Sequence, residues 1–457
     1  MKKEQAGSVT NVTRALEVLG MVLLTGGILL VGFYASQDNF KLIFTGYTLA
    51  FLGYALGIHL GVMGHSWRQF FILALILRIV LLFSLPNLSD DVFRFIWDGK
   101  MMHLGIHPLS DRPEDFLVTH QFLSGELNPL YSQLNSPNYY TVYPPVAQII
   151  FFLSTFSFFG SMKVMVFIMK LLLLLGEGFT MYGLLLALRM FRLSHWNLLL
   201  FMLNPLAILE IMGNMHFEGL MIAFLLWSGL ALARKRWFWS GGLFALAVST
   251  KLLPLMFLPL ILLYLSDVRV ITRFLLGCCL IGGLLFVPFL WGVGWMHFWT
   301  SLHLYYGTFE FNAGLYYILR AIGKYFVGYN LIHFIGPALA AVSLVAILWV
   351  ALKARRPIPM RNLPGYLLLS YMIYALLSLI LHPWYLLLPL FLSVFVPNAI
   401  VPVWTYLITL TYINYSFHPY SEAMWVVLLE YTVLLALIAW EFRTTRWLRK
   451  SLWGRKQ

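Results

Sequence analysis

Asp90 and Asp91 stand side by side after Ser89, and Arg94 follows Asp90 by four residues, in the stretch LSDDVFRFIWDGKMMHLGIHPL at 88–109. Read as the start of a short helix, Ser89 is its cap, and the two carboxylates fall in the first turn, where the helix dipole favours them. Arg94 then shares a face with Asp90, and Asp98 lies a further turn along that face. Adjacent carboxylates next to an arginine suit general-base chemistry. The arginine holds a carboxylate ionised, and partial burial keeps it basic enough to take a proton. The plainer alternative is a capped helix end with a surface ion pair.

Composition decides what kind of scaffold holds these acids. Of 457 residues, 61% are apolar and 11% charged, against about 25% charged in an ordinary soluble domain. So few polar side chains cannot cover a water-soluble enzyme of this length, and such hydrophobicity excludes disorder. The expected fold class is an all-α integral membrane protein. The net charge of +13 reflects basic residues on cytoplasmic loops rather than nucleic-acid binding. Cys278 and Cys279 are neighbours in an apolar run, a spacing that fits neither a disulfide framework nor a zinc site. The N-terminal apolar run reads as a retained first helix.

Apolar runs fall near 14–35, 40–62, 69–86, 163–190, 195–212, 216–233, 238–250, 253–266, 271–291, 329–352, 364–381, 384–397, 399–414 and 422–441. A crossing takes about 20 apolar residues, and the runs predict 11–14 transmembrane helices. Lys2, Lys3 and Arg14 put the N-terminus inside. Arg189, Arg192, the ArgLysArg run 234–236, Arg269, Arg273, Lys353, Arg355, Arg356 and the basic tail from Arg443 to Lys456 then fall inside as well. Segment 145–160 breaks this alternation if it crosses, so it is expected to lie along or dip into the outer face beside a cavity. Two long external loops result, 87–144 and 292–328, and the first carries Asp90, Asp91, Asp98, Asp111, Glu114, Asp115 and Glu126. The expected organisation is one polytopic domain over 1–457. It comprises a helix pair at 14–68, a module at 69–291 that includes the first loop, the second loop at 292–328, and C-terminal helices at 329–457.

The pattern S-D-D-x-x-R-x-x-W-D-G-x(5)-G-x-x-P resembles the first external loop of C-type (GT-C) glycosyltransferases. It is most similar to polyprenyl-phosphate-mannose-dependent mannosyltransferase-like proteins. TyrProPro at 143–145, AsnPro at 204–205, GlyAsnMetHisPheGlu at 213–218, ThrLysLeuLeuPro at 250–254, PheGluPheAsn at 309–312 and HisProTrpTyr at 382–385 agree in order. His107 and Glu218 depart from the Asn and Asp that are common there. The resemblance implies a GT-C-like fold and an inverting transfer of a hexose, with mannose expected, from a polyprenyl-phosphate donor. The acceptor it implies is a lipid-linked or membrane-anchored glycan. Asp90 or Asp91 is then the base. The expected setting is the extracytoplasmic face of a bacterial inner membrane, with both termini cytoplasmic. No cofactor is expected. A divalent cation held by Asp90 and Asp91 with phosphate oxygens is conceivable but not expected to be obligate.

A leaving polyprenyl phosphate gathers negative charge and needs positive groups near it. Lys251 sits at the apex of a hairpin of short helices over 238–266, deep enough for a bare charge to be costly. His216 heads the next inward helix beside Asn214 and Glu218. Arg94, Arg320 and Lys324 complete the candidate phosphate ligands, the last two on an amphipathic interfacial helix with Tyr316, Tyr317 and Tyr325. Trp97, Asp98, Tyr143, Asn214, Glu218, Glu310, Asn312, His382 and Tyr385 are candidates for sugar or acceptor contact. Several have plainer readings, such as interfacial anchoring for Tyr385 beside Trp384. Arg78, Lys170 and Glu177 are intramembrane charges, read as a structural ion-pair set or a route for the lipid phosphate. Two rival functions remain open. A lipid-linked glycan flippase predicts inverted repeats and midplane charges, and a polymerase or ligase with a diphosphate-linked donor predicts more basic external loops.

Overall fold

The computed structural model describes residues 2–120, 124–156, 160–354 and 357–444; the side chains at 2–10, 124, 126 and 304–307 lie outside the description. Arg355, Arg356, the basic tail beyond Thr444, the side chains of Lys2, Lys3 and Glu126, and positions 157–159 of the expected dipping segment therefore lie outside the described residues. Among the described residues the chain is all-helical. The one β feature among the described residues is an isolated parallel bridge between Phe311 and Ile380.

Among the described residues six helices are long and apolar enough to cross a membrane: Asn11–Tyr34, Phe40–Val62, Met162–Phe191, Val268–Phe289, Ile332–Lys353 and Met424–Thr444. A seventh span is broken, His195–Met202 meeting Pro205–Gly213 at 59°. Asn204 at the break is extended, and its side chain caps Leu206 N–H at 2.9 Å. Pro205 next to it supplies no N–H for a continuous helix. The chain is an integral membrane protein. The run count of 11–14 exceeds these spans because several runs fold into helices too short to cross alone, among them Trp67–Val80, Glu218–Ala233, Trp237–Thr250 and Leu387–Ser393. Every residue of Leu387–Ser393 is buried, whereas Val268–Phe289 buries only 11% of its most apolar window. An apolar run therefore predicts burial, in protein or in lipid, but not an unbroken crossing.

The helices gather into two compact units. One comprises Met1–Leu88, Met181–His216 and Pro383–Arg443. Its first two helices approach closely: a Cβ at Gly27 would lie 2.3 Å from the Gly46 carbonyl oxygen, the small-residue contact that lets membrane helices pack backbone to backbone. The other comprises Ser89–Thr180 and Phe217–His382, with Thr444. It holds the helix Asp91–His103, two short helices Pro113–Thr119 and Ser124–Tyr131, and the ten-residue Pro145–Ser154, which is too short to cross, as expected for the 145–160 segment. The hairpin expected over 238–266 is present as Trp237–Thr250, a 3-10 turn at Leu253–Phe257, and Leu258–Leu265. In the second long loop, Gly314–Val327 is amphipathic, with Tyr316 and Tyr317 buried and Ile318, Ile322, Tyr325 and Phe326 exposed.

Candidate active site

Asp90 is the N-cap residue of Asp91–His103 and Asp91 its first helical residue. Asp90 makes no side-chain cap, and Ser89 Oγ accepts Asp91 N–H at a long 3.4 Å. The pair thus presents carboxylates at a helix N-terminus without spending Asp90 on the backbone. Asn135 Nδ2 donates to Asp91 Oδ1 at 3.4 Å. Asp90 is open to solvent on one side. Enclosure by protein on the other side, and then the adjacent Asp91 carboxylate, raise its carboxyl above the ordinary carboxylate range.

Arg94 is turned the other way. Its Nε donates to Asp98 Oδ1 at 2.8 Å, and its Nη1 donates to the carbonyls of Ser136 and Tyr139 at 3.2 and 2.8 Å. The expected Asp90–Arg94 pairing is replaced by Arg94–Asp98, because the loop at 136–139 supplies carbonyls on Arg94's inner side. Both partners are buried. Gln148 Nε2, on Pro145–Ser154, donates to Asp98 Oδ2 at 2.9 Å and to Thr141 Oγ1 at 3.1 Å. Arg94 and Asp98, expected as ligands, are thus a buried brace between the acid helix, the following loop and Pro145–Ser154. Trp97, also expected at the sugar, is in the core with Met101, Phe116, Leu127 and Leu134. On the next face Phe95 stacks on Phe151 at 4.6 Å and meets Tyr143 and Phe217 edge-on. Gly99 permits this closeness: a Cβ there would lie 2.4 Å from Thr155 Oγ1 and 2.5 Å from the Phe151 carbonyl.

Lys251 and Glu218 form an ion pair, Nζ donating to Oε1. Glu218 opens Glu218–Ala233 and is fully buried, while the Lys251 side chain keeps 20% of its exposure. Glu310 and Arg320 also pair, and Arg320 lies 4.6 Å over the Tyr317 ring. Asn312 beside them is buried in a left-handed conformation at φ 51°. Lys324 is exposed. His382 packs at 4.4 Å on Phe311, and Tyr143, His382 and Tyr385 are half-buried. Arg78 donates to the carbonyls of Ala74 and Met202, a use of charge inside its own unit. Lys170 and Glu177 are buried.

In the unit that includes Met181–His216, the turn 213–216 holds two of the candidates. Asn214 Oδ1 accepts Leu88 N–H at 3.3 Å and its Nδ2 donates to Glu210 at 3.1 Å. The His216 ring stacks on Trp384 at 3.8 Å. Glu210 and Gln148 are absent from the expectations of the sequence. Each is a lone polar residue in an apolar run, and that isolation is the signal that could have marked it.

A groove of about 520 Å³ opens beside the acid helix, lined mainly by Met102, Ile106, Ile149, Phe152, Leu285 and Phe289, with His107 and Gln148 as polar edges. Asp90 and Asp91 are not among its lining residues. Leu109 N–H donates to His107 Nδ1 at 3.2 Å, which leaves the ring proton on Nε2, and burial lowers the imidazole below its ordinary value. Among the described residues no group of three or more His, Cys, Asp and Glu side chains is arranged to hold a metal ion.

The model of the MptA_B family, alpha-(1->6)-mannopyranosyltransferase, N-terminal domain, matches residues 5–267, more than half of the chain. The chain belongs to this family. The protein is a membrane mannosyltransferase, a glycosyltransferase whose matched segment contains the acid pair, Gln148, Glu210, His216, Glu218 and Lys251. No curated protein matches the chain. In this mannosyltransferase the acid pair and the Arg94–Asp98 brace share one helix.

Proposed function

We propose that the mannosyltransferase moves a mannosyl group from a polyprenyl-phosphate-linked donor to a 6-hydroxyl of a lipid-linked or membrane-anchored glycan. The setting is the extracytoplasmic face of a bacterial inner membrane. Asp90 or Asp91 takes the acceptor proton, and the acceptor oxygen attacks the anomeric carbon. The bond from that carbon to the phosphate oxygen breaks, and polyprenyl phosphate leaves. One displacement inverts the configuration, so an α product, as the family name states, requires a β-linked donor. Lys251, steered by Glu218, is the cation toward which the phosphate departs. His216 is a donor to the phosphate or the sugar, and Tyr143, His382 and Tyr385 are sugar contacts.

The observation that carries this reading is the acid pair at a helix N-terminus, with the Asp90 carboxylate not used as a cap while the nearby arginine is committed elsewhere. A base must be ionised yet basic, and Arg94 bound to Asp90 would have made it a weaker one. The test is transfer from mannosyl phosphoryl polyprenol by Asp90→Asn and Asp91→Asn, each made singly. One of the two is expected to lose turnover by at least about 100-fold, the scale of general-base catalysis. Parental turnover in both variants refutes the assignment.

A further inference from the structure

Glu210 has no exposure, yet it is an acid in the interior of an apolar span. A buried carboxylate there is costly unless it is fully paired, and four side chains converge on it. Tyr47 and Tyr412 hydroxyls donate to Oε1 at 3.1 and 2.7 Å. Asn214 Nδ2 donates to Oε2 at 3.1 Å. His216 Nε2 stands 3.3 Å from the same Oε2, within ion-pair distance though off the hydrogen-bond line. The His216 backbone N–H donates to the Glu210 carbonyl at 2.9 Å.

The backbone is built around this convergence. Leu209–Gly213 is a π-helical turn, a local widening often found at functional sites. Met215, between Asn214 and His216, is left-handed at φ 63°, a strained state for a side-chain-bearing residue. Two arms leave the carboxylate. One ends on the His216 ring, which Trp384 clamps from its face. The other runs through Asn214 to Leu88 N–H, two residues before Asp90. Asn87 beside it is tied to the carbonyls of Val31 and Ala35.

We propose that Glu210 is a positioning residue of the transfer reaction, one carboxylate that sets both the His216 ring and, through Asn214, the backbone at Leu88. This rests on the functional reading above. The tyrosine hydroxyls hold Oε1, which leaves Oε2 as the oxygen that orients. Glu210→Gln keeps the shape and one oxygen but removes the charge beside His216 and takes away the acceptor on either the tyrosine or the Asn214 side.

The parent, Glu210→Gln, His216→Ala and the double variant are purified in detergent, checked for folding by gel filtration, and assayed for transfer from mannosyl phosphoryl polyprenol. Glu210→Gln is expected to lower kcat by about 10- to 100-fold, the range for loss of a group that orients a reacting side chain, with donor KM changed less than about threefold. The loss in the double variant is expected to fall short of the product of the single losses, since both act through one ring. A folded Glu210→Gln with parental kcat, or losses that multiply, overturns the proposal. If Glu210→Gln does not fold, Asn214→Ala cuts the Leu88 arm while the tyrosines stay paired. A kcat loss at unchanged donor KM then supports the proposal, and a parental kcat overturns it. A parent that transfers nothing refutes the functional reading, and this proposal with it, whereas an active parent beside an unaffected Glu210→Gln refutes the role of Glu210 alone.

Discussion

Asp98 separates a brace from a binding site. Its Oδ1 accepts Arg94 Nε at 2.8 Å and its Oδ2 accepts Gln148 Nε2 at 2.9 Å, and none of the three residues is more than 3% exposed. Asp98→Ala leaves a buried guanidinium without its counter-charge and its Nε–H without an acceptor, while Gln148 Nε2 keeps Thr141 Oγ1 and the Tyr143 carbonyl. Breaking a buried pair from one side costs about 3–5 kcal/mol. Arg94 retains the Ser136 and Tyr139 carbonyls, which argues for the lower half of that range. Asp98→Asn keeps the volume but turns one oxygen into a donor facing a donor, a cost of about 1–3 kcal/mol for one unsatisfied buried group. Unfolding in mixed detergent–SDS micelles reads both values, with transfer measured on the folded fraction. As a brace, Asp98→Ala and Asp98→Asn fall in stability in that order, and acceptor KM stays near the parental value. If both variants are as stable as the parent while acceptor KM rises strongly, Asp98 is a substrate ligand and the brace argument fails.

The acid limb of the pH profile gives a second check. With Asp90 as base, kcat/KM is lost as pH falls through its raised value. Asp91→Asn removes one cause of the rise and shifts that limb to lower pH, while an unmoved limb in an active Asp91→Asn enzyme refutes Asp90 as base. Gly99→Ala drives a methyl against the Phe151 carbonyl and costs about 1–3 kcal/mol by overpacking; adding Thr155→Ala does not restore stability, because the backbone oxygen remains, and a full rescue would show the contact to be side-chain only. Lys251→Met strands the buried Glu218 and destabilises. Lys251→Met with Glu218→Gln recovers most of the stability but leaves kcat down by about 100-fold or more, the scale of losing one charge-stabilising donor, whereas recovery of kcat would make Lys251 purely structural.

The membrane class was legible because it depends on composition, which burial in lipid enforces along the whole chain. The first two spans and Val268–Phe289 match their apolar runs within a few residues for the same reason. The broken and shortened helices were less legible. Asn204–Pro205 announces a break, but whether a short apolar helix lies in lipid or inside the protein depends on neighbours distant in sequence. Leu387–Ser393 is buried on every side, and no periodicity distinguishes that from a piece of a crossing.

The place of the acid pair at a helix start was legible because its signals are local: two carboxylates, a capping serine and an i+4 arginine lie within ten residues. The direction in which Arg94 points was not, because the carbonyls of Ser136 and Tyr139 that capture it belong to a loop more than forty residues away. The burial of Trp97 and Asp98 was not legible for the same reason, since a motif shows which residues a helix carries but not which face it buries. Glu210 shows the converse. Its partners Tyr47 and Tyr412 lie 163 and 202 residues away, so no window around it reveals a site. What the sequence does carry is the cost of the charge itself. An isolated acid in an apolar span persists only where something repays its desolvation, and that cost directs attention to Glu210 before any partner is known.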